Sequence, residues 1–149
     1  MTPVLQELVD TYDNSVEAIL ADPRVAENRD HELVLAYLGL FPEGSSFASG
    51  TLDFWASEGA AGRFYRPGPR GEMYVSTVQS VQPDSADQVT FVVCTLKSIV
   101  IVDGSGAELS AEGGVTAGSV VAIRADGVWR LRDLTRTSAE PCPDPRAQP

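Results

Sequence analysis

Basic side chains are scarce in this chain: 11 Lys and Arg stand against 21 Asp and Glu, for a formal charge of −10. Such a surface repels both a phosphate backbone and an anionic bilayer, which argues against nucleic acid or a membrane as partner. Long apolar runs are missing too, since none approaches the roughly 18 residues that a membrane-crossing helix needs. His31 is the sole histidine. Without a second His, or a Cys/His pair at ligand spacing, a zinc site has no basis, and no metal or other cofactor is expected. There is no GxxxxGK[ST], no GxGxxG between a strand and a helix, and no GxSxG elbow; PGPRGE is glycine-rich but too short and wrongly placed to cradle a phosphate. Nucleotide binding and Ser/His/Asp hydrolysis therefore have no support.

Cysteine is limited to Cys94 and Cys142, too few for a disulfide framework. Cys94 lies in the strand-like run VVCTL and Cys142 in the tail segment PCPDP. Two free thiols are the plain reading, whereas a bridge would tie the tail to a sheet and favour an exported protein. The opening MTPVLQELVD has neither a basic patch nor an apolar h-region, so cytoplasm is the expected location. Export is the alternative if the cysteines are bridged and a signal segment was trimmed.

What is present suits one soluble domain. The 149 residues are enough to bury a core without metal or disulfide staples. In TPVLQELVDTYDNSVEAILADP, apolar residues from Val4 to Leu20 recur three and four apart, predicting an amphipathic helix with Thr2 as cap and Pro3 in its first turn, stopping before Asp22-Pro23. DHELVLAYLGLF predicts a second, largely buried helix capped by Asp30 or Asn28 and closed by Pro42. FPEGSSFASG reads as a loop, and TLDFWASEGAAG as a third helix capped by Thr51 and ending near Gly62. RFYRPGPRG predicts a short edge strand, because its prolines cannot donate to a ladder. Four longer strands follow in EMYVSTVQSV, QVTFVVCTLKSIVIV, VTAGSVVAIRA and GVWRLRDLTRT, rich in Val, Ile, Thr and aromatics. Residues 138–149, SAEPCPDPRAQP, read as a Pro-rich flexible tail.

Helices first and antiparallel strands after them predict an α+β domain over residues 1–137, with the helices covering one sheet face. The strand from Gln88 to Val102 is apolar on both sides: Phe91, Val93, Ile99 and Ile101 share one face, and Val92, Cys94, Leu96 and Val100 the other. Both faces should be covered at least in part, with the helices as one cover and a second subunit as a candidate for the other.

This order of elements, ending in a DGVWRLRDL hairpin, resembles the nuclear-transport-factor-2-like superfamily with its polyketide-cyclase-like and ketosteroid-isomerase-like members. VCTLKSIVIVDGSG followed by GSVVAIRADGVWRLRDL is similar to uncharacterised actinobacterial members. The resemblance spans residues 2–137 and implies a curved antiparallel sheet forming a cone closed by three N-terminal helices, often a homodimer through the outer sheet face. It leaves the activity open, because that fold serves isomerases, cyclases, dehydratases and noncatalytic adaptors alike. Many members place two strands between the second and third helices; SSFASG leaves no room for them, so catalytic residues carried there do not transfer.

Asp133 is the candidate reacting group. If Asp126-Gly127 is a two-residue turn, the hairpin pairs Arg124 with Trp129, Ala122 with Leu131, Val120 with Asp133 and Gly118 with Thr135. Asp133 would then share the cone-facing side with Trp129 and Leu131, at an offset where superfamily enzymes carry pocket-lining polar groups, and partial burial would raise its pKa toward that of a general base. The plainer reading is a solvated or ion-paired strand-end carboxylate, and a one-residue bulge would change its partners. Tyr12, Tyr37, Phe54, Trp55, Tyr65 and Tyr74 are expected to meet at the helix–sheet junction. Lys97, the single lysine, lies in a buried strand and must reach water or a carboxylate.

With no evident acid/base constellation, the leading expectation is a noncatalytic domain that binds a small apolar ligand or a protein, with Tyr12, Trp55, Tyr65, Tyr74, Trp129 and Asp133 as pocket residues. The rival is a cofactor-independent isomerase, cyclase or dehydratase with Asp133 as base and a tyrosine as hydrogen-bond donor. A roomy cone interior, with Asp133 and a tyrosine hydroxyl about 3 Å from one common point, favours the enzyme; an interior packed solid by Trp55, Trp129 and Leu side chains ends that reading and leaves the exposed sheet face as the working surface.

Overall fold

The computed structural model describes residues 1–137, with side chains through Thr135; the tail from residue 138 onward, including Cys142, lies outside the described residues. Helix α1, Thr2–Leu20, buries Leu5, Val9, Tyr12, Val16, Ile19 and Leu20, the face its periodicity predicts. Thr2 does not cap it. The Met1 carbonyl accepts from Leu5 N–H at 3.1 Å, which extends the helix by one residue, and no side chain caps this end. After α1, Asp22 caps a 3₁₀ turn, Pro23–Glu27, and its carboxylate also holds the Arg24 guanidinium at 2.8 Å.

Helix α2, Glu32–Leu38, is capped by His31 rather than by Asn28 or Asp30: Nδ1 accepts from Leu33 N–H at 3.1 Å. Asn28 instead closes the preceding turn, accepting from Asp30 N–H. Helix α3, Ser46–Ala60, is capped by Ser45, six residues before the predicted cap. Ser45 Oγ accepts from Ala48 N–H at 3.2 Å, and Ala48 and Leu52 are fully buried. A cap plus two buried contacts outweighs the weak helix propensity of SSFASG, which is helical rather than loop. Thr51, expected as the cap, bonds back to the Phe47 carbonyl inside the helix. Gly62, with φ of 74°, follows the helix end as predicted.

The sheet is antiparallel: β1 (Phe64–Pro67), β2 (Tyr74–Ser85), β3 (Gln88–Val102), β4 (Glu108–Ala125) and β5 (Val128–Thr137). β3 is the spine. β4 pairs along one side of it, while β2 and then β1 share the other, and β5 pairs with β4. The predicted bounds of β3 hold, whereas β4 starts seven residues earlier than VTAGSVVAIRA implies. Register shifts interrupt the β2–β3, β3–β4 and β4–β5 pairings. Each extra residue bends its strand and tightens the local twist, so the sheet curls into a half-barrel that the three helices close. The α+β cone expected from the sequence is thus the architecture observed.

Asp126 and Gly127 form the β4–β5 turn, with φ of 53° and 76°, as a two-residue hairpin requires. Arg124–Trp129 and Ala122–Leu131 pair as expected, but Arg132 is then bulged out. Asp133 lies opposite Val121, and Leu134 opposite Val120. Since Val120 and Ala122 belong to the core, strand alternation puts Leu134 on the cone-facing side and Asp133 on the convex side. The expected Val120–Asp133 and Gly118–Thr135 pairs do not form.

Polar side chains and loops finish the edges. Gln6 on α1 accepts from Val78 N–H and donates to the Ser76 carbonyl, both at 2.9 Å, meeting two groups of β2 at its bulge. Leu131 N–H on β5 donates to the Leu40 carbonyl, 2.8 Å away, in the segment after α2.

The core joins the inner faces of the helices to Val89, Phe91, Val93, Ile99 and Ile101 of β3. On the opposite face Cys94 and Leu96 are only 1% and 2% exposed, so β3 is covered on both sides there. Cys94 is disulfide-bonded, which replaces the free-thiol reading for that residue.

Candidate functional site: the mouth of the cone

Helical spacing brings Tyr12, Val16 and Leu20 of α1 to one side of an opening, and Phe47, Thr51, Phe54 and Trp55 of α3 to another. Tyr65 of β1, Tyr74 of β2, Glu112 of β4 and Leu134 of β5 complete the wall around about 390 Å³. Four of the residues singled out in the sequence, Tyr12, Trp55, Tyr65 and Tyr74, therefore line one cavity.

Behind it Tyr37 is the hub of an aromatic cluster. Its ring centroid lies 5.1 Å from that of Trp55, 5.0 Å from Phe41 and 6.0 Å from Tyr12. The Tyr37 hydroxyl is fully buried and lies toward Thr51 and Tyr12 without a hydrogen bond of good geometry to either. Burial pushes its ionisation up to about 12. The Tyr65 hydroxyl donates to Glu58, which also accepts from Arg63 Nε at 3.1 Å. Burial first, and then that bond to a carboxylate, raises the Tyr65 phenol above the usual tyrosine range.

Both phenols thus hold their protons in the folded chain at pH values where an unfolded tyrosine, near 10, has lost its own. The stability tied to them is complete below about pH 10 and is lost as pH rises toward about 12. The expected loss is about 1 kcal/mol or more between about pH 9 and about pH 11, read from denaturant titrations. Near-ultraviolet phenolate absorbance should show a late-titrating fraction in the native protein; all four tyrosines titrating together near pH 10 would contradict it.

Glu112 is the charged side chain on the wall. It pairs with Lys97 Nζ at 3.7 Å, giving that lysine the carboxylate the sequence demanded, and remains 49% exposed. Sequence reading missed Glu112 because AELSAEGG looks like a turn; counting back from Ala122 in steps of two would have placed it on the inner face.

Deeper in the cone, between α1 and the sheet, only about 30 Å³ is open. Asp13, Ser76, Thr95, Thr116, Ser119 and Thr135 contribute polar walls, with Ser76 and Thr95 hydroxyls 2.9 Å apart. That space matches a single water rather than a substrate. Asp13 is a buried carboxylate that the sequence reading passed over. Its signal was its position four residues after Val9 on the apolar stripe of α1.

Two predicted pocket residues lie elsewhere. Trp129 sits at the hairpin end beneath the Arg124 guanidinium, 5.4 Å from the ring centroid. Asp133 borders neither cavity; its carboxylate accepts from Arg132 Nε at 3.1 Å and its side chain is 42% exposed. A larger open groove, about 900 Å³, runs between the α2–α3 segment and the β4–β5 turn. Its walls are mostly Gly, Ser, Pro and charged side chains, with few aromatic surfaces to hold a ligand. Among the described residues no group of three or more His, Cys, Asp or Glu is placed to hold a metal ion. No helix of the described residues is long and apolar enough to cross a membrane.

No protein-family model and no curated protein matches the sequence. Solved structures do share its architecture. The intermembrane-space region of the chloroplast protein ARC6 aligns over 93% of this chain and 98% of its own, with a TM-score of 0.59 and 10% identity. A ketosteroid isomerase-like protein from Erwinia carotovora atroseptica aligns over 94% and 97%, with a TM-score of 0.58 and 10% identity. A putative calcium/calmodulin-dependent protein kinase type II association domain from Thiobacillus denitrificans aligns over 89% and 93%, with a TM-score of 0.51 and 12% identity. Similarity at this level establishes the fold alone, the α+β cone, and leaves family and function to the residues.

Proposed function

We propose that this chain is a noncatalytic binding domain whose cone mouth takes a small, largely apolar ligand. The observation that carries this reading is the convergence of six aromatic side chains on one cavity of about 390 Å³, within the size range of ligand pockets. Binding is favoured over turnover by the chemistry of the wall. Tyr65 donates to Glu58, Glu112 pairs with Lys97 at 3.7 Å, and the interior has no room for a substrate beside Asp13. The isomerase, cyclase or dehydratase reading needs an acid and a base converging on one open point; the Tyr65 hydroxyl instead donates to Glu58, and Asp133 pairs with Arg132 away from the mouth.

The test is a nuclear magnetic resonance titration with neutral fragments such as indole, phenol and cyclohexanol. Shifts should concentrate on the mouth, with dissociation constants on the order of 1 mM for ligands of this size. Tyr74→Ala and Phe54→Ala should each weaken binding by roughly threefold to tenfold, the cost of one lost apolar contact. Fragments that bind only in the groove beside Arg130, or not at all, would refute the reading.

A second reading, self-association through the outer sheet face, is favoured by Val92, which is 37% exposed on that face. One of the structural neighbours is itself described as an association domain. Sedimentation equilibrium should then give a dimer that Val92→Glu dissociates.

A further inference from the structure

We infer that the mouth selects an organic ammonium cation over a neutral ligand of the same shape. This rests on the mouth being the binding site, and adds the charge of the ligand. Tyr12, Phe47, Phe54, Trp55, Tyr65 and Tyr74 surround the opening. The faces of aromatic rings carry negative potential, and a ring-lined box attracts a cation whose charge is spread over methyl groups.

Charge points the same way. Among the lining residues Glu112 is the ionised one, and there is no Lys or Arg among them. Its ion pair with Lys97 is 3.7 Å long, and nearly half of its side chain meets solvent. A carboxylate has about four acceptor positions, so Glu112 keeps capacity for a second cation from the solvent side. Behind the wall, Arg63 and Glu58 compensate one another at 3.1 Å and add no net field. The chain's charge of −10 raises the local concentration of cations and lowers that of anions. An anionic ligand would meet Glu112, whose paired Lys97 is not among the lining residues. A neutral one would gain burial but neither of the charge-dependent attractions.

The experiment compares choline with 3,3-dimethylbutan-1-ol, which has the same shape with carbon in place of nitrogen. Both are titrated into the full chain by nuclear magnetic resonance at one fixed, near-physiological ionic strength. Choline is expected to bind the mouth at least about fivefold more tightly. Glu112→Gln, an exposed isosteric change, should reduce that preference to about twofold or less. Phe54→Ala should weaken choline more than the alcohol.

Equal affinity for the two probes would overturn the cation inference and leave the mouth as a neutral-ligand site. Binding of the neutral fragments with no binding of choline would overturn it in the same way. A choline preference that survives both substitutions would place the cation elsewhere on the acidic surface and also overturn it. If choline and all neutral fragments fail to bind, both the inference and the binding-domain reading fall.

Discussion

Gly59→Ala should destabilise this protein by about 1–3 kcal/mol, although replacing a glycine inside a helix ordinarily stabilises it by about 1 kcal/mol. The reason is the contact between α3 and the 3₁₀ turn. A Cβ on Gly59 would stand 2.5 Å from the backbone nitrogen of Arg24, 2.8 Å from the carbonyl carbon of Pro23 and 2.9 Å from the Arg24 Cα. These are backbone atoms in a turn stiffened by Pro23 and by the Asp22–Arg24 pair, so they cannot rotate away as a side-chain tip would. Helix and turn must separate, and the melting temperature should fall by roughly 3–10 °C for a chain of this size. Gly50 is the control on the same helix. It is exposed with open space at its Cβ position, so Gly50→Ala should raise stability by about 0.5–1 kcal/mol. Thermal melts of the two variants should move in opposite directions. If both rise, the close approach of α3 to the turn is wrong.

Leu131→Ala should cost about 2–5 kcal/mol, whereas Asp133→Ala should stay within about 1 kcal/mol of the parent. Leu131 is fully buried opposite Ala122, just before the bulge at Arg132, and its backbone is anchored by the bond to the Leu40 carbonyl. Truncation leaves a cavity that this anchored strand cannot close. Asp133 holds an exposed pair with its neighbour Arg132, a contact of little net worth in water. Leu134→Asp is the complementary change: it sets a carboxylate on the cone-facing side and should cost about 2 kcal/mol or more, as seen in urea unfolding. Were Asp133→Ala the severe substitution and Leu134→Asp the mild one, the strand would be running in the unbulged register.

The same strand shows how far local pattern reaches. Asp126-Gly127 demands a tight turn because two successive residues need positive φ, and the pairs nearest the turn follow from it. Beyond Ala122 a single extra residue reverses every side chain, and period-two alternation carries no mark of where that residue lies. Alternation from Trp129 therefore directs Asp133 inward, while the bulge gives the place to Leu134. The α3 boundary differs for a related reason. Ser, Gly and Ala between Gly44 and Thr51 are weak helix formers, and it is the burial of Ala48 and Leu52, together with the Ser45 cap, that extends the helix. For His31, the sequence marks a helix start but not which neighbouring acceptor reaches the free N–H; backbone direction assigned that to Nδ1.

By itself the sequence determined the class of the fold, the face that α1 buries, the span of β3 and the aromatic residues that meet at one end. Each of these follows from local periodicity and from the free energy of taking apolar area out of water, quantities that a linear string contains. Only the tertiary structure decided which side of β5 faces the cone, that Glu112 rather than Asp133 supplies the charge at the mouth, and that the interior is nearly filled. Those outcomes depend on where bulges bend the strands and on which side chains arrive from distant segments, and neither is encoded within a few residues of the site itself.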